Sequence, residues 1–318
     1  MSGRHLWVAR IHRVHDHIDA HLAEPLDLAT LAAVAHASPW HFHRVFQGMT
    51  GETLAGCVRR RRLETAARRL LATPPEAALR IAIEIGFGSA EAFTRAFRTH
   101  FGVTPTAWRR GGWRVWCDAN RAQLRKLDQA LRKTDQVVAA LFDEDAWTRP
   151  DAAASEDLRP MHVDIRTLAP QRVAYLRYTG PFANDGVART WQRFVAWFVS
   201  RGLMQPPRTR YGVSQDNPQI TPPEHCRYDC CIAVDEDFRP EGEIGVQTIA
   251  GGTYACAPFD GVAADFSGAW MRLYGQWLPA SDWQAEDRPP LEIYPADQIP
   301  DPQTGRIRCL LCIPVRPA

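Results

Sequence analysis

The chain has 318 residues, of which 45% are hydrophobic and 23% are charged. At about 100–200 residues per domain this length predicts two domains, and the composition excludes a disordered or collagen-like chain. With no apolar run of about 18 residues and charges throughout its first residues, the sequence predicts neither a membrane span nor a signal peptide. Its eight scattered cysteines favour reduced thiols, so we expect a soluble protein of the cytoplasm.

Charge is distributed unevenly along the chain. Residues 1–112 hold 15 arginines, no lysine and 9 acidic residues, a net charge of +6. Residues 161–318 hold 15 basic and 18 acidic residues, a net charge of −3. A basic first third indicates a polyanionic partner for that part and a different partner for the rest. An uneven but merely solvated surface is the alternative interpretation.

The first third contains one unit twice. The segments SPWHFHRVFQGMTG (38–51) and SAEAFTRAFRTHFG (89–102) align at an offset of 51 residues. Each begins with serine, a favoured N-cap, carries apolar residues at helical spacing, and ends at a glycine. A short apolar helix is predicted before each, at Leu28–Ala35 and at about Arg80–Ile85. This arrangement is a helix-turn-helix, and the arginine-rich Leu54–Leu71 predicts a connecting helix.

A recognition helix needs outward polar side chains that reach base edges and an apolar face that holds it in place. With the phenylalanines inward, the side chains expected to face bases are Trp40, His43, Arg44, Ala90, Glu91, Thr94 and Arg95. A packing role is the alternative for Trp40. On the connecting helix, Arg59, Arg61 and Arg62 are predicted to lie near phosphates, the alternative being a solvated face.

Residues from about Leu26 to Arg110 resemble the DNA-binding domain of the AraC/XylS family of transcription regulators. The resemblance rests on LATLAAVAHASPWHFHRVFQGMTG and IAIEIGFGSAEAFTRAFRTHFGVTPTAWRR. It implies two helix-turn-helix units that enter two adjacent major grooves of double-stranded DNA, with the base-facing positions named above. Family members often carry glutamine at the positions of His43 and Glu91, so the operator sequence stays open.

A second repeat occupies the last half of the chain. At an offset of 81 residues, Thr167–Ala169 aligns with Thr248–Ala250 and Cys231–Val234 aligns with Cys312–Val315. Each copy is predicted to contain a strand, an amphipathic helix rich in tryptophan and phenylalanine, and two further strands. Such a duplication creates a seam between its halves, where ligand pockets tend to form.

The sequence therefore predicts a multidomain chain: an all-α N-terminal domain with two helix-turn-helix units, then an α+β domain of two repeated strand–helix–strand–strand units. We expect the DNA-binding domain at 1–112 and the small-molecule-binding domain at 161–318. Residues 113–160 are predicted to form a polar helical segment and a linker. Whether the protein is a monomer or a dimer stays open.

An acidic residue lies in a predicted strand of the last half. Glu292 lies in the strand-like run PPLEIYP, where a carboxylate on a buried sheet face is costly unless it is paired or used. The alternative is an edge-strand glutamate paired with Arg306 or Arg308. The aromatic residues predicted to line a ligand pocket, each of which could instead be core, are Tyr175, Trp191, Tyr254, Trp270 and Tyr274.

Residues 161–316 resemble the GyrI-like effector-binding domains of multidrug-sensing regulators, through MHVDIRTLAPQRVAYLRYTGPF, GGTYACAPFDG and RPPLEIYP. The resemblance implies an aromatic pocket in which the acidic residue of the LEIY segment, here Glu292, faces lipophilic cations. Charge pairing and cation–π attraction suit such ligands. Because some GyrI-like proteins are associated with hydrolysis of reactive cyclopropane compounds, a detoxifying hydrolase is the alternative function.

Metal and nucleotide chemistry have little support in the sequence. Cys309 and Cys312, three residues apart on a predicted strand, point to opposite faces, and Cys230 and Cys231 diverge likewise. There is no Walker-type loop, G-x-G-x-x-G or G-x-S-x-G motif. We expect a nucleoid-associated transcription regulator of the cytoplasm, not an enzyme, with no metal, cofactor or membrane partner. Its expected partners are double-stranded DNA, a small-molecule effector and RNA polymerase.

Overall fold

A computed structural model describes residues 3–72, 75–120, 161–182, 185–218, 220–298 and 304–317. Within these ranges, no helix is both long enough and apolar enough to cross a membrane. The predicted segment 113–160 is described only as far as residue 120, over which the chain is helical, and its remainder lies outside the described residues.

The described N-terminal part is helical throughout. Its helices are α1 (Gly3–Ala20), α2 (Leu28–Val34), α3 (Pro39–Thr50), α4 (Leu54–Leu70), α5 (Ala78–Glu84) and α6 (Ala90–Phe101). A short helical turn at Pro105–Ala107 and a π-helical turn at Trp108–Gly112 follow. Helices α2 and α3 form the first helix-turn-helix, α5 and α6 form the second, and α4 connects them, which confirms the prediction.

The recognition helices α3 and α6 begin and end as their sequences predict. The Ser89 side chain accepts a hydrogen bond from the Ala92 amide at 3.1 Å, and Pro39 opens α3. Gly51 and Gly102 end the two helices, both at a φ of 76°, a left-handed conformation that favours glycine. The apolar faces are fully buried through Phe42, Phe46, Phe93 and Phe97. Burial of these rings holds each recognition helix on its partner helix.

The two helix-turn-helix turns each contain one residue with a positive φ, and the type of residue at that position differs between them. Gly86 has a φ of 86° in the second turn, and the exposed His36 has a φ of 48° in the first. We expect His36→Gly to raise the free energy of unfolding by up to about 1 kcal/mol, because it relieves a strained conformation. Gly86→Ala should lower it by more than about 1 kcal/mol, since the new Cβ would lie 2.5 Å from the Leu22 carbonyl oxygen. Urea denaturation followed by circular dichroism measures both free energies of unfolding. If both substitutions changed the free energy of unfolding in the same direction, this interpretation of the two turns would be contradicted.

The C-terminal part is built on one antiparallel sheet. Its strands are β1 (Asp164–Leu168), β2 (Gln171–Thr179), β3 (Arg210–Ser214), β4 (Arg227–Ala233), β5 (Gly245–Ile249), β6 (Gly252–Gly261), β7 (Trp283–Ala285), β8 (Leu291–Tyr294) and β9 (Ile307–Pro317). Its helices are α7 (Gly186–Ser200) and α8 (Phe266–Arg272), and short turns of 3-10 or π type lie at Pro223–His225, Ala263–Asp265, Leu273–Trp277 and Leu278–Ala280. The α+β fold class is confirmed.

The order of the strands shows how the two repeats are joined. The sheet runs β1-β6-β9-β8-β3-β4-β2-β5, with β7 added beside β9. The first repeat contains one strand more than the sequence predicted (β1–β4) and the second contains two more (β5–β9, with the short β7). The first strand of each repeat pairs with the other repeat: β1 with β6 and β5 with β2. The repeats meet where β3 pairs with β8, so this pair is the seam.

The two faces of the sheet have different neighbours. Helices α7 and α8 cover one face, above separate apolar clusters that contain Phe194 and Leu273. The opposite face carries a third cluster, which includes Tyr175 and Tyr254, and Tyr175 on this face reaches α1 of the helical part. The sheet therefore lies between its own helices and the DNA-binding fold.

Candidate effector site and DNA-reading surface

Glu292 lies at the seam, on the face of the sheet that α7 and α8 cover. Its carboxylate accepts hydrogen bonds from the Tyr228 hydroxyl at 2.5 Å and from the Tyr294 hydroxyl at 2.6 Å. The indole of Trp270 on α8 also lies close enough to favour its charged form. The residue is 8% exposed. One acidic group is thus enclosed by aromatic hydroxyl and indole donors contributed by both repeats.

Further aromatic rings surround this carboxylate. The ring centroids of Trp191 on α7 and Tyr294 are 5.8 Å apart, and those of Phe182 and Tyr228 are 5.9 Å apart. Tyr274 follows α8 and lies 5.9 Å from Trp270. Both helices therefore supply aromatic faces, which attract cations, to a site that holds one carboxylate.

A glycine creates the space for the Tyr228–Glu292 hydrogen bond. Gly212 on β3 is the register partner of Glu292 on β8. A Cβ at Gly212 would lie 1.8 Å from the Tyr228 hydroxyl oxygen and 2.6 Å from Glu292 Oε2. Any larger residue on β3 would displace this bond, so the seam strand itself forms the floor of the site.

Burial controls the charge state of this carboxyl group. Burial raises the pKa of Glu292 above its ordinary value, and the hydrogen bonds from Tyr228, Tyr294 and Trp270 lower it by less. The same site raises the pKa of Tyr228 well above its usual range, through burial and the Glu292 charge, so its hydroxyl remains a donor. An approaching cation would favour the ionised carboxylate.

The structure does not bring all the predicted ligand residues together. Tyr175 and Tyr254 lie on the opposite face of the sheet from Glu292, because alternate residues of a strand point in opposite directions. The Tyr175 hydroxyl donates to Asp16 of α1 at 2.7 Å, and the Tyr254 hydroxyl donates to the Ala250 carbonyl at 2.8 Å. Of the predicted set, Trp270 approaches Glu292 and Trp191 packs against its hydrogen-bond partner Tyr294, whereas Tyr274 lies beyond Trp270 and is 39% exposed.

The alternative pairing of Glu292 with Arg306 or Arg308 is also not found. Arg306 bonds to Asp260 at 2.9 Å, and Arg308 contacts the same carboxylate at 3.3 Å. All three of these side chains are exposed, far from the burial of Glu292. The two arginines lie at the start of β9, where Arg306 precedes the strand and Arg308 is its second residue, and they do not enter the seam.

Sequence reasoning missed Tyr228 and Tyr294 as parts of this site. Tyr294 was within reach, because it lies two residues after Glu292 on the same strand and so shares its face. Tyr228 depends on the pairing of β3 with both β4 and β8, which no local pattern indicates. Gly212 likewise has meaning only in the assembled sheet.

The predicted base-facing residues form exposed surfaces on the recognition helices. On α6, Glu91, Thr94 and Arg95 are exposed, and they line a shallow open depression together with Ala90, Arg98, Thr99 and Thr104. On α3, Arg44 is exposed and His43 is partly exposed, whereas the side chain of Trp40 lies outside the described part of the structure. Both helices therefore present polar groups opposite their buried phenylalanines.

The arginines of α4 have different roles from those the sequence predicted. Arg59 is exposed and fits a phosphate contact. Arg61 is 5% exposed and bonds to Asp19, which corrects its predicted place near phosphates. Arg62 donates to the carbonyl oxygens of Leu22 and Glu24, so it fixes the loop after α1. These acidic and carbonyl partners, which the local sequence does not indicate, bury Arg61 and leave Arg62 half-buried.

Arg61 belongs to an ion-pair network between the two folds. Arg227 on β4 bonds to Asp216 at 2.8 Å and to Asp19 of α1 at 2.8 Å. Arg61 bonds to Asp19 at 2.7 Å, to Asp216, and to Glu64 at 3.0 Å. Burial would raise the pKa of Asp216 and Asp19, but Arg227 and Arg61 hold both well below their ordinary range. Both aspartates are therefore charged at neutral pH.

A second buried network lies beside the first. Arg177 on β2 forms two hydrogen bonds with Asp229 on β4, at 2.6 and 2.8 Å, and one with Asp16 of α1 at 2.6 Å. Gln215 and Gln247 donate to the same Asp229 carboxylate. Strand β4 thus supplies one residue to each network, Arg227 and Asp229, and both lie on the side of the sheet that faces α1.

The cysteines lie in the apolar cores and on both faces of the sheet. All eight are free and buried. Cys309 and Cys312 belong to clusters on opposite faces, as do Cys230 and Cys231. Among the described residues, no group of three or more histidine, cysteine or acidic side chains is arranged to hold a metal ion.

Two protein families match different parts of this chain. The "GyrI-like small molecule binding domain" matches residues 161–316, and the "Helix-turn-helix domain" matches residues 31–111. The Right origin-binding protein of Escherichia coli K12 is 41% identical over 95 residues, which are 29% of this chain and 32% of that protein. The chain therefore matches about a third of the length of this relative.

Two further comparisons cover most of a shorter protein. The DNA gyrase inhibitor of Edwardsiella piscicida is 35% identical over 141 residues, which are 43% of this chain and 88% of that protein. The DNA-binding domain of AdpA, solved in complex with a target DNA, is 33% identical, covering 31% of this chain and 89% of that one with a TM-score of 0.30. Since the two matched domains follow one another, the chain belongs to the AraC-type helix-turn-helix proteins that carry a C-terminal GyrI-like small molecule binding domain.

Proposed function

We propose that this protein is a sequence-specific DNA-binding transcription regulator of the cytoplasm, whose DNA affinity changes when a lipophilic cation binds at Glu292. The DNA-reading residues are those of α3 and α6 together with Arg59. The effector residues are Glu292, Tyr228, Tyr294, Trp191, Trp270 and Tyr274. RNA polymerase is a further proposed partner, since a regulator bound beside a promoter acts on that enzyme.

One observation carries the ligand-responsive part of this proposal. On β4, Tyr228 bonds to Glu292 on the helix-covered face of the sheet. The residues before and after Tyr228 point to the other face, where one bonds to α1 and the other bonds to an arginine that contacts α1. Arg227 pairs directly with Asp19, and Asp229 holds the Arg177 that pairs with Asp16. A cation that takes Glu292 away from Tyr228 would shift β4 and both interdomain networks with it. Effector binding and the position of the DNA-binding fold are thus linked through three consecutive residues.

Asp16→Asn tests this link without touching the effector site. We expect a lipophilic cation such as benzyltrimethylammonium to change the DNA affinity of the full chain by about fivefold or more. Asp16→Asn should keep cation binding and reduce that change, because it weakens one contact between α1 and the sheet. Fluorescence anisotropy of a labelled duplex, selected from a random pool, measures both. A variant that loses cation binding itself, or a wild type whose DNA affinity ignores the cation, would contradict the proposal.

Arg44→Ala and Arg95→Ala test the DNA-reading surface. Each should weaken binding to the selected duplex by about 1–3 kcal/mol and relax the preference at one or two base pairs, because an arginine can form two hydrogen bonds with guanine. Arg59→Ala is the matched control, which should weaken all sequences about equally and reduce the salt slope by about one. Anisotropy titrations over a series of single-base variants and salt concentrations separate the two patterns.

The two reading surfaces also predict the form of the operator. Because α3 and α6 differ in their outward residues, the site should be asymmetric, and it should span two adjacent major grooves about 34 Å apart. Footprints with one protected groove per monomer would limit the second unit to a structural role.

The alternative function, hydrolysis of an electrophile, would appear as substrate consumption by the wild type that Glu292→Gln abolishes.

A further inference from the structure

We propose that a cavity between the two folds is a second ligand site, which takes a small monocarboxylate with an apolar body. The cavity has a volume of about 240 Å³. Helix α1 forms one wall. The second wall is the end of α3 and the loop after it (Met49, Thr50, Glu52) together with Arg60 and Arg61 of α4, and the third is formed by Thr179, Glu224, His225 and Arg227. It lies on the opposite face of the sheet from Glu292 and shares no residue with that site.

The cavity contains buried polar atoms that lack partners. Within the described residues, His12 Nδ1 and both ring nitrogens of His15 are buried without a hydrogen-bond partner. Leaving such a group unpaired costs about 1–3 kcal/mol. His12 is 8% exposed, and the His15 ring rests edge-on against Phe46 with 5.6 Å between centroids. A bound molecule with hydrogen-bond acceptors would satisfy these nitrogens, since each neutral imidazole offers one N–H donor.

The charges around the histidines favour an anion. Burial, followed by Arg177, lowers the pKa of His12 to about 3. Burial, then Arg227 and Arg177, lowers the pKa of His15 well below its ordinary range, and Asp19 opposes this by less. Both rings are therefore neutral at neutral pH, and Arg177 and Arg227 act on each of them against one aspartate, Asp229 for His12 and Asp19 for His15. A carboxylate would meet an attractive field there, and a cation would be repelled.

The acidic side chains of the cavity are already occupied or exposed. Asp19 accepts hydrogen bonds from Arg61 and Arg227, and Glu52 accepts two from Arg60, at 3.1 and 2.7 Å. Glu224 is exposed to solvent. Asp19 and Glu52 are thus occupied by arginines, and the buried imidazole nitrogens without partners are left for a ligand.

Size and the apolar wall define the rest of the ligand. Val8, Ile11 and Ile18 of α1 line the cavity beside the histidines. An apolar cavity of about 150 Å³ holds benzene, and pockets for drug-sized ligands measure about 300–1,000 Å³. A volume of about 240 Å³ therefore fits one aromatic or short aliphatic body with one carboxylate. Benzoate is a suitable probe.

Isothermal titration calorimetry of the full chain at pH 7 tests the site, with benzoate, the neutral benzamide and the cationic benzylamine as probes. We expect benzoate to bind at least tenfold more tightly than benzamide. Benzylamine, which Glu292 would attract in the wild type, is titrated into Glu292→Gln, where it should not bind. His15→Phe should weaken benzoate at least tenfold, because it removes both ring nitrogens and keeps a ring of similar shape. Val8→Phe, which fills the cavity from its apolar wall, should do the same.

Two controls locate the binding. His100 also has a buried ring nitrogen without a partner among the described residues, but it does not line this cavity, so His100→Phe should bind benzoate like the wild type. Glu292→Gln should also leave benzoate binding unchanged. The proposal is overturned if benzoate does not bind, if benzamide binds equally, if His15→Phe and Val8→Phe both retain binding, or if Glu292→Gln abolishes it. None of these results bears on cation binding at Glu292.

Discussion

Replacing Arg227 with alanine is expected to lower the free energy of unfolding by about 3–5 kcal/mol, because removal of one partner leaves buried charges uncompensated. Asp216 would lose two of its hydrogen bonds and Asp19 would lose one. The Asp216 side chain is fully buried, so water cannot replace the guanidinium. Urea denaturation of the full chain, followed by circular dichroism and tryptophan fluorescence, measures the loss.

Arg306→Ala is the matched control, since it removes an arginine from an exposed pair with Asp260. It should change the free energy of unfolding by less than about 1 kcal/mol.

The pH dependence of the Arg227→Ala effect gives an independent check. A carboxyl group with a lowered folded-state pKa stabilises fully above its unfolded value, here 3.8, and less as the pH falls through the folded-state pKa. The difference in free energy of unfolding between wild type and Arg227→Ala should therefore be largest at pH 7 and become smaller below about pH 3.8. A difference that grows in acid would contradict the pairing of Arg227 with these carboxylates.

Glu292→Gln is expected to weaken binding of benzyltrimethylammonium at least tenfold, about 1.4 kcal/mol, because it removes the one charge of the site and keeps its shape. Neopentylbenzene, in which carbon replaces the charged nitrogen, should bind the wild type and the variant nearly equally. In the wild type, cation affinity should rise from about pH 5 to 8, since burial raises the pKa of Glu292 and only the ionised form attracts the ligand. Calorimetric titrations at several pH values measure this. Equal losses for both ligands would remove Glu292 from the site.

Stability distinguishes this role of Glu292 from a structural ion pair. A carboxyl group with a raised folded-state pKa stabilises below its unfolded value, here 4.5, and loses that contribution as the pH rises through the folded-state pKa. Glutamine escapes this loss and can still accept from Tyr228 and Tyr294. Relative to wild type, Glu292→Gln should therefore gain stability between pH 4.5 and 8, as measured by urea denaturation. A variant that is less stable at pH 8 would indicate a stabilising ion pair instead.

The helical part could be predicted closely from the sequence because its signals are local. Each unit has a serine at the N-cap position, a terminal glycine and phenylalanines at helical spacing, and these define α3 and α6, although only Ser89 caps its helix with its side chain. The role of Arg61 could not be predicted, since its partner Asp216 is 155 residues away along the chain. A run of four arginines has the same sequence pattern whether its members meet phosphate, solvent or a buried aspartate.

The sheet shows the same division between local and long-range signals. Glu292 was correctly recognised as a buried acid because its neighbours Leu291 and Ile293 are apolar. Tyr175 and Tyr254 were wrongly assigned to its pocket. Residue spacing shows which residues of one strand share a face, but it does not show which face of another strand lies on the same side of the sheet. The exchange of β1 and β5 between repeats had no local signal either, since a strand pairs equally well with either neighbour.

The exchanged strands have an evolutionary consequence. A single repeat would leave the edge of its second strand unpaired, and two copies that lend each other their first strands form a twofold, strand-swapped dimer. This chain has the topology of such a dimer joined into one chain, and Gly212 and Glu292, paired across β3 and β8, lie beside the axis that would relate the two repeats. In a dimer of identical subunits every residue beside that axis occurs twice, which means two buried carboxylates or none. The two repeats of a single chain can differ in sequence, so one strand carries glycine and the other carries a single glutamate.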